Sequence, residues 1–415
     1  MTTSVESRLI ACHECDHLHH SAPIVEGAKA LCTQCGSLLY RQTSNGIDKT
    51  LALYLAAFIL MIIANSFPFL SLQIGGRAEH NILISGAVAL HQLGMSELGL
   101  LVFLTSVFFP SMVIVGMLYL LLPIRMGFTP PAKGKVYRLT NALQPWSLVA
   151  VFVLGVLIAV VKLLDLAEVI PGTALFALFA LLIIMTIASI NFEPSSIWPH
   201  TNIDELDLNA SGKTAADQQL LNCHSCAQLV PMSAKLSHCP RCEAPLHSRK
   251  HNSLTRTWAL IFSAIILLIP ANLYPIMTVI RFGQGAPDTI MSGVIHLIEG
   301  GLWPLGLIVF FASIFVPLLK LIVLSLLAIT VQRHSSWRTK DRTLLYRVTE
   351  VIGAWSMVDI FIIGLLAALV NLGALATIRP GIGAIFFAAA VILTIFAAHS
   401  FDPRLIWDNA RKASD

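Results

Sequence analysis

The chain repeats itself. Asn65-x-x-Pro68 returns as Asn272-x-x-Pro275, Ser85-Gly86 as Ser292-Gly293, and Pro110 as Pro317, all at one constant spacing. Trp146-Ser147 returns as Trp355-Ser356, and Phe192-x-Pro194 as Phe401-x-Pro403, at a spacing two residues longer. Each copy holds four apolar segments and is preceded by two Cys-x-x-Cys pairs. Such a sequence has to build one unit twice. Any feature found in only one copy therefore needs its own explanation.

The apolar segments set the environment. Of 415 residues, 56% are hydrophobic and only 12% charged, too apolar for a soluble chain of this size. A helix that spans a bilayer needs about 20 mostly apolar residues. Eight stretches qualify: 50–73, 98–122, 146–168, 173–190, 257–280, 302–330, 350–372 and 381–399. The first 48 residues are polar and carry Cys and His, so no signal peptide is expected. Basic residues crowd two loops, Arg125, Lys133, Lys135 and Arg138 in one, and Arg333, Arg338, Lys340, Arg342 and Arg347 in the other. The alternate loops are poor in them. The positive-inside bias then puts these loops, both termini and the central linker in the cytoplasm. An even number of spans per copy gives both halves the same orientation, a parallel repeat.

All eight cysteines fall in the pairs: Cys12, Cys15, Cys32 and Cys35 before the first block, Cys223, Cys226, Cys239 and Cys242 before the second. Two such pairs at this separation read as a tetrahedral four-cysteine site, usually zinc. A reducing cytoplasm favours metal over disulfides. Four thiolates leave no open coordination position, which points to a structural staple rather than catalysis at the metal. Iron also accepts four sulfurs, so a rubredoxin-like redox site is the rival. Neither knuckle has the dense basic, aromatic-interleaved face that nucleic-acid binding needs.

Ionisable residues inside spans are costly and mark functional candidates. Lys162 and Asp165 share one face of the third span. Lys320 lies in the sixth and Asp359 in the seventh, each about 15 Å deep and able to pair across neighbouring helices. By repeat spacing Lys320 matches Val113 and Asp359 matches Ala150, so the charges are not shared by the two copies. This asymmetry suggests one polar pathway or gate assembled from both halves, against a buried ion pair that fixes packing plus one snorkelling lysine. Ser313, Ser356 and Thr394 could line the same region, although single hydroxyls often bond back to their own helix. Asn65-Pro68 and Asn272-Pro275 read as breaks in the first span of each block, and Pro317 as one in the sixth. They serve as hinges or simply shape the bundle.

Together these residues resemble the paraquat-inducible protein A family, which includes the lipophilic-envelope-spanning tunnel A type. The likeness covers nearly the whole chain. It is densest in Pro270-Ala-Asn272, Pro275-Ile-Met, Val316-Pro317, Lys320, Trp355-Ser-Met-x-Asp359 and Phe401-Asp-Pro-Arg404, with Lys162-x-x-Asp165 and the knuckle spacing adding to it. The resemblance implies an inner-membrane, multi-pass protein of Gram-negative bacteria. It implies a tetraspanin-like arrangement in each half, a periplasmic MCE-domain tunnel as partner, and phospholipid or a similar lipid as cargo.

The expected fold is therefore an all-α polytopic membrane protein of eight spans in two parallel four-helix repeats. A zinc-ribbon-like knuckle (1–48) precedes the first repeat (49–193). A linker (194–218) and a second knuckle (219–250) lead to the second repeat (251–403) and a cytoplasmic tail (404–415). The expected function is loading or extraction of lipid at the tunnel, with two structural zinc sites. A membrane redox module with iron in the knuckles and a passive anchor for the tunnel are the alternatives. No GxxxxGK[ST], HExxH or nucleophile elbow is present, so no enzyme is expected.

Overall fold

A computed structural model describes residues 9–22, 24–43, 45–74, 77–163, 168–198, 214–281, 284–369 and 376–412. The chain opens with two small antiparallel hairpins, β1 (Leu9–Ala11) with β2 (Leu18–His20), and β3 (Lys29–Leu31) with β4 (Leu38–Arg41). The first repeat then follows a fixed order. Helix α1 (Gly46–Ser66) leads to β5 (Leu70–Ile74), β6 (Arg77–Asn81), α2 (Ser85–Gln92) and α3 (Ser96–Phe103). A π-helical turn, Leu104–Phe108, joins α3 to α4 (Phe109–Arg125). Then come α5 (Lys133–Leu143), a 3₁₀ turn (Gln144–Trp146), α6 (Val149–Leu163), β7 (Glu168–Pro171) and α7 (Thr173–Asn191).

The second half repeats this plan. Strands β8 (Leu220–Asn222) and β9 (Leu229–Pro231) form its hairpin, and α8 (Ser253–Leu273) is its first long helix. Strands β10 (Met277–Arg281) and β11 (Gln284–Asp288), α9 (Ile290–Glu299), α10 (Trp303–Phe310), a second π turn (Phe311–Phe315) and α11 (Val316–Gln332) follow. The series closes with α12 (Thr339–Ile352), a 3₁₀ turn (Gly353–Met357), α13 (Val358–Leu369), β12 (Ala376–Pro380), α14 (Ile382–Ser400) and α15 (Leu405–Lys412). Among the described residues eight helices are long and apolar enough to cross a membrane. The all-α membrane core expected from the sequence is present.

Each proline pair ends a helix rather than bending it. Pro68 disfavours the helical region for the residue before it, and Phe67 is extended at φ −109° and ψ 155°. The apolar residues that follow are not the last turns of spans reaching 73 and 280. They form β5 and β10. The Asn65 amide donates to Met61 O at 2.8 Å, and the Asn272 amide to Leu268 O at 2.8 Å, so each asparagine side chain bonds back one turn onto its own helix. Pro317, like Pro110, sits in the first turn after its π turn, where a missing N–H costs little.

On this end of the molecule each repeat builds a three-stranded antiparallel sheet, in the order β6-β5-β7 and β11-β10-β12. Leu70 pairs with Asn81 on one side and Pro171 on the other, and Met277 likewise with Asp288 and Pro380. The short connection before α7 is thus a strand held by β5. Gly172 and Gly381 follow these third strands where the backbone passes close to Pro68 O and Pro275 O, leaving no space for a Cβ.

First and fourth spans pack together within each repeat, α1 with α7 and α8 with α14. The two repeats meet through their third spans. Helix α13 packs on α6, with Phe152 edge-on to Phe361 at 5.4 Å, and also on α2, where Gly86 approaches the Gly364 carbonyl. Helix α13 is accordingly buried along almost its entire length.

Candidate functional site

Two kinds of constellation stand out, a sulfur cluster in each knuckle and a polar cluster inside the second repeat. In the knuckles every Cys-x-x-Cys turn closes the same way. Asp16 N–H donates to Cys12 O at 2.8 Å, Gly36 N–H to Cys32 O at 2.8 Å, Ala227 N–H to Cys223 O at 2.9 Å and Glu243 N–H to Cys239 O at 2.8 Å. The donor in each turn lies in the left-handed region, with φ between 55° and 73°. Only one of the four is glycine, so three side chains are held in a conformation L-residues rarely adopt. Such strain persists where the surroundings over-determine the turn.

What the turns achieve is convergence of sulfur. The four Sγ atoms of each knuckle lie within 4.8 Å of one another, and all eight cysteines are buried. Cys12 and Cys35 are 3.5 Å apart, as are Cys15 with Cys32 and Cys223 with Cys242, while Cys226 and Cys239 are 3.6 Å apart. Four thiolates at about 2.3 Å from a central ion would sit about 3.8 Å from each other. The donor set and its spacing therefore fit a tetrahedral, sulfur-loving metal ion. Ser37 Oγ stands 2.8 Å from Cys12 Sγ, and His19 Nε2 3.2 Å from Cys32 Sγ, as hydrogen-bonding groups outside the four sulfurs.

The knuckles are exchanged between the repeats. The first knuckle, which precedes the first bundle, rests on the second. Arg347 of α12 reaches Glu14 at 2.6 Å and donates to Cys35 O at 2.7 Å and Gly36 O at 3.4 Å. Its cysteines share an apolar cluster with Val323, Leu327 and Val331 of α11 and with Ile406 and Trp407 of α15. The second knuckle rests on the first bundle. Arg138 of α5 donates to Glu243 O at 2.6 Å, and Gly134 lies against the Cys242 carbonyl. Arg138 and Arg347 are equivalent positions of the repeat, and each grips the residue just after a knuckle's last cysteine. The second knuckle and the end of the linker before it touch the first knuckle: the Asn222 amide donates to Ala11 O at 3.2 Å, and Ala215 N–H to Asp16 O at 2.9 Å. Arg249 ties Asp16, at 3.1 Å, to Asp408 of α15, at 2.7 Å.

A latch holds α8 against the end of α14. Asp402, 1% exposed, accepts from Lys250 N–H at 3.0 Å and from Arg404 Nη2 at 2.8 Å and Nε at 2.9 Å. Burial opposes its ionisation, but these donors and the Arg404 charge outweigh burial and hold the carboxyl below the usual aspartate value.

The second constellation is polar and lies within apolar surroundings. Lys320 of α11 is 2% exposed, and its ammonium donates to Thr394 Oγ1 of α14 at 3.2 Å. Gly353 leaves room for that amine, since a Cβ there would stand 2.6 Å from Lys320 Nζ. The π turn bearing Ser313 packs on the 3₁₀ turn bearing Ser356, one turn before Asp359. All three residues are buried, and among the described residues the Ser313 and Ser356 hydroxyls have no hydrogen-bond partner. A buried hydroxyl without a partner is rare and costly, so two together mark a place where something else can bond. Among the described residues no ion pair joins Lys320 to Asp359. Lys162 lies in the last turn of α6, with its side chain outside the described residues, and Asp165 lies outside them altogether.

The first repeat has the frame without the counterparts of Lys320 and Asp359. Ser106, on its own π turn, matches Ser313 but bonds back to Val102 O at 2.7 Å, and Ser147 matches Ser356. Val113, Ala150 and Met185 occupy the places of Lys320, Asp359 and Thr394. Sequence reasoning missed Gly353, Arg138 and Arg347. Alignment of the two copies would have found the arginine pair, whereas Gly353 carries no local signal.

The model of the family described as paraquat-inducible protein A matches residues 47–202 and again 254–411. The chain belongs to the paraquat-inducible protein A family. The two matches are the two membrane repeats, each beginning where its first long helix begins. Among curated relatives, Intermembrane transport protein PqiA of Escherichia coli (strain K12) is 32% identical over 407 residues, 96% of this chain and 95% of the relative. Lipophilic envelope-spanning tunnel protein A of the same strain is 30% identical over 398 residues, 96% of this chain and 90% of the relative. A probable intermembrane transport protein of Haemophilus influenzae is 27% identical over 414 residues, 98% and 97% of the respective chains. No solved structure matches the chain. For a paraquat-inducible protein A family member, the paired sulfur sites and the one-sided polar cluster are thus built into a duplicated membrane frame.

Proposed function

We propose that this chain is the inner-membrane component of an intermembrane lipid transport system, not an enzyme. In this reading it loads phospholipid into, or extracts it from, a periplasmic tunnel made by an MCE-domain partner. The observation that carries the reading is the cluster of Lys320, Thr394, Ser313, Ser356 and Asp359, buried in one repeat and without its charges in the other. Relatives named as an intermembrane transport protein, a probable intermembrane transport protein and a lipophilic envelope-spanning tunnel protein support the direction of the inference. A structural polar device would serve both copies of a duplicated frame, whereas a single path for a polar headgroup needs lining once. Unpartnered hydroxyls on turns packed against the helix of a buried ammonium suit a phosphodiester, which supplies acceptors to each. The π turns on both second spans are places where the helix ladder is already loosened. Lys162 and Asp165 belong to the same proposed network, and Asn65, Pro68, Asn272, Pro275 and Pro317 to the joints around which it opens.

The knuckle side faces the cytoplasm in this proposal, as the basic residues on α5 and α12 favour, and the three-stranded sheets face the periplasm and the partner. Zinc occupies the knuckles as a structural ion. It would be held by Cys12, Cys15, Cys32 and Cys35 in one and by Cys223, Cys226, Cys239 and Cys242 in the other, and it would supply cross-linking rather than chemistry.

The test is lipid photo-crosslinking in cells, with a photoreactive residue at Ser313 or Thr394 and controls at the outward-facing Ile322 and Phe396. Both inner positions are closed off in this structure, so labelled phospholipid there requires the bundle to open. Labelling at Ser313 and Thr394 that is lost in Lys320→Ala supports the reading. Labelling only at the controls overturns it in favour of a passive anchor, and an iron-loaded, coloured preparation would favour a redox module.

A further inference from the structure

The exchange of knuckles sets the two four-cysteine units on unequal ground. The first knuckle is gripped by Arg347 of α12 and shares an apolar cluster with residues of α11, the helix that carries Lys320. Val323, Leu327 and Val331, in its apolar cluster, continue along α11 from Lys320 at helical spacing, so the face of α11 that carries the amine also faces the cluster the knuckle's cysteines belong to. Arg347 stands on α12, which runs directly into the 3₁₀ turn with Gly353 and Ser356 and then into α13 with Asp359. Gly353 in turn lies against the Lys320 side chain. A fork of three contacts from one half-buried arginine, to Glu14, Cys35 O and Gly36 O, therefore fixes α12 to a unit whose apolar cluster also takes in α11. The second knuckle makes the equivalent grip through Arg138, but on the half whose matching positions are Val113 and Ala150.

We infer that Arg347 is a positioning residue for the polar cluster. By clamping α12 to the first knuckle it sets the distance between α11 and α12, and so the placement of Lys320 relative to Ser356 and Asp359. Arg138 performs the same mechanical task on the first repeat and leaves the cluster untouched. The functional meaning of the inference rests on the transport reading above, but its test does not.

Hydrogen–deuterium exchange of the purified full chain in detergent decides it, with Arg347→Gln, Arg138→Gln and Arg347→Lys compared with the native sequence. Arg347→Gln is expected to raise exchange about tenfold over 316–360 while 109–150 stays protected, and Arg138→Gln to do the reverse. Arg347→Lys keeps a cation facing Glu14 and should recover most of the protection. Glu14→Gln removes the ion pair from the knuckle side and should loosen the same segment, 316–360, which guards against a trivial folding defect of one variant. Loosening of the first repeat by Arg347→Gln, or of both repeats equally, overturns the inference. In the crosslinking assay, labelling at Ser313 should fall in Arg347→Gln and persist in Arg138→Gln. Absence of labelling even in the native sequence would sink the lipid reading alone, leaving the exchange pattern to judge the clamp.

Discussion

Lys320 Nζ is held by Thr394 Oγ1 at 3.2 Å, so among the described residues the amine of α11 bonds to a hydroxyl of α14 and not to a carboxylate. A buried ammonium with one neutral partner is kept at a cost to stability. Thr394 would not be orphaned by its loss, because its own hydroxyl donates to Val391 O at 2.7 Å. Lys320→Met is therefore expected to leave the protein as stable as before, or more stable by ~1–2 kcal/mol, while abolishing lipid transfer. Thermal unfolding in detergent beside a transfer assay checks both halves of this statement, and a large fall in melting midpoint would refute it.

Gly353→Ala should act on function more than on folding. The new methyl would meet the far end of the Lys320 side chain, Nζ at 2.6 Å and Cε at 3.2 Å, which can swing aside. The displaced amine loses Thr394. Expression and melting midpoint should stay near native while transfer drops severalfold, and Lys320→Met combined with Gly353→Ala should be no worse than Lys320→Met alone.

Gly381→Ala and Gly172→Ala should fail for the opposite reason. There the added methyl would run into backbone, Pro275 O and Pro68 O respectively, next to the third strand of each sheet. Neither partner can rotate away. Each substitution is expected to cost about 2–3 kcal/mol, seen as a lower melting midpoint and easier proteolysis at the sheet end.

The sulfur clusters predict a stoichiometry. Purified protein should carry two metal ions per chain, one for each group of four cysteines. Cys12→Ala with Cys32→Ala should carry one. Metal analysis by mass spectrometry gives the count and the element. Stripping the ions with a strong chelator should lower the melting midpoint, and an unchanged midpoint would deny them a structural part.

The Asp402 latch predicts an acid limit. Its carboxyl is held below the ordinary aspartate value of about 3.9, so the folded state prefers the ionised form. That contribution is complete above the unfolded value and is lost as pH falls through the lower folded one. Asp402→Asn should lower stability by about 1–3 kcal/mol at neutral pH, and part of the native protein's loss of stability below about pH 4 should be missing from the variant. Melting curves across that range provide the comparison.

Much of the fold was legible because it follows local chemistry. Eight apolar runs became eight helices, and Cys-x-x-Cys spacing became the two sulfur clusters. Long-range pairing was not legible. Residues 70–74 look like the end of a span until Pro68 is seen to stop the helix and β7, nearly a hundred residues later, is seen to pair with them. The residues after Pro403 read as a plain tail, yet α15 buries Ile406 completely and Trp407 bonds Thr343 at 3.0 Å. Arg138 and Arg347 look like topology signals because a charge in a loop satisfies the positive-inside bias whatever it touches. The asymmetry of Lys320 and Asp359 was readable from the repeat, whereas the partner of Lys320 depended on how α14 packs.

The exchange of knuckles has a bearing on the size of the smallest working unit. A chain holding one knuckle and one bundle could make these grips only by lending its knuckle to a second copy and borrowing that copy's in return, the arrangement of a swapped dimer. Joining two such units in one chain makes the loan permanent and private. The copies are then free to diverge, the second carrying a lysine and an aspartate where the first has Val113 and Ala150, because each knuckle already has its bundle within the same chain.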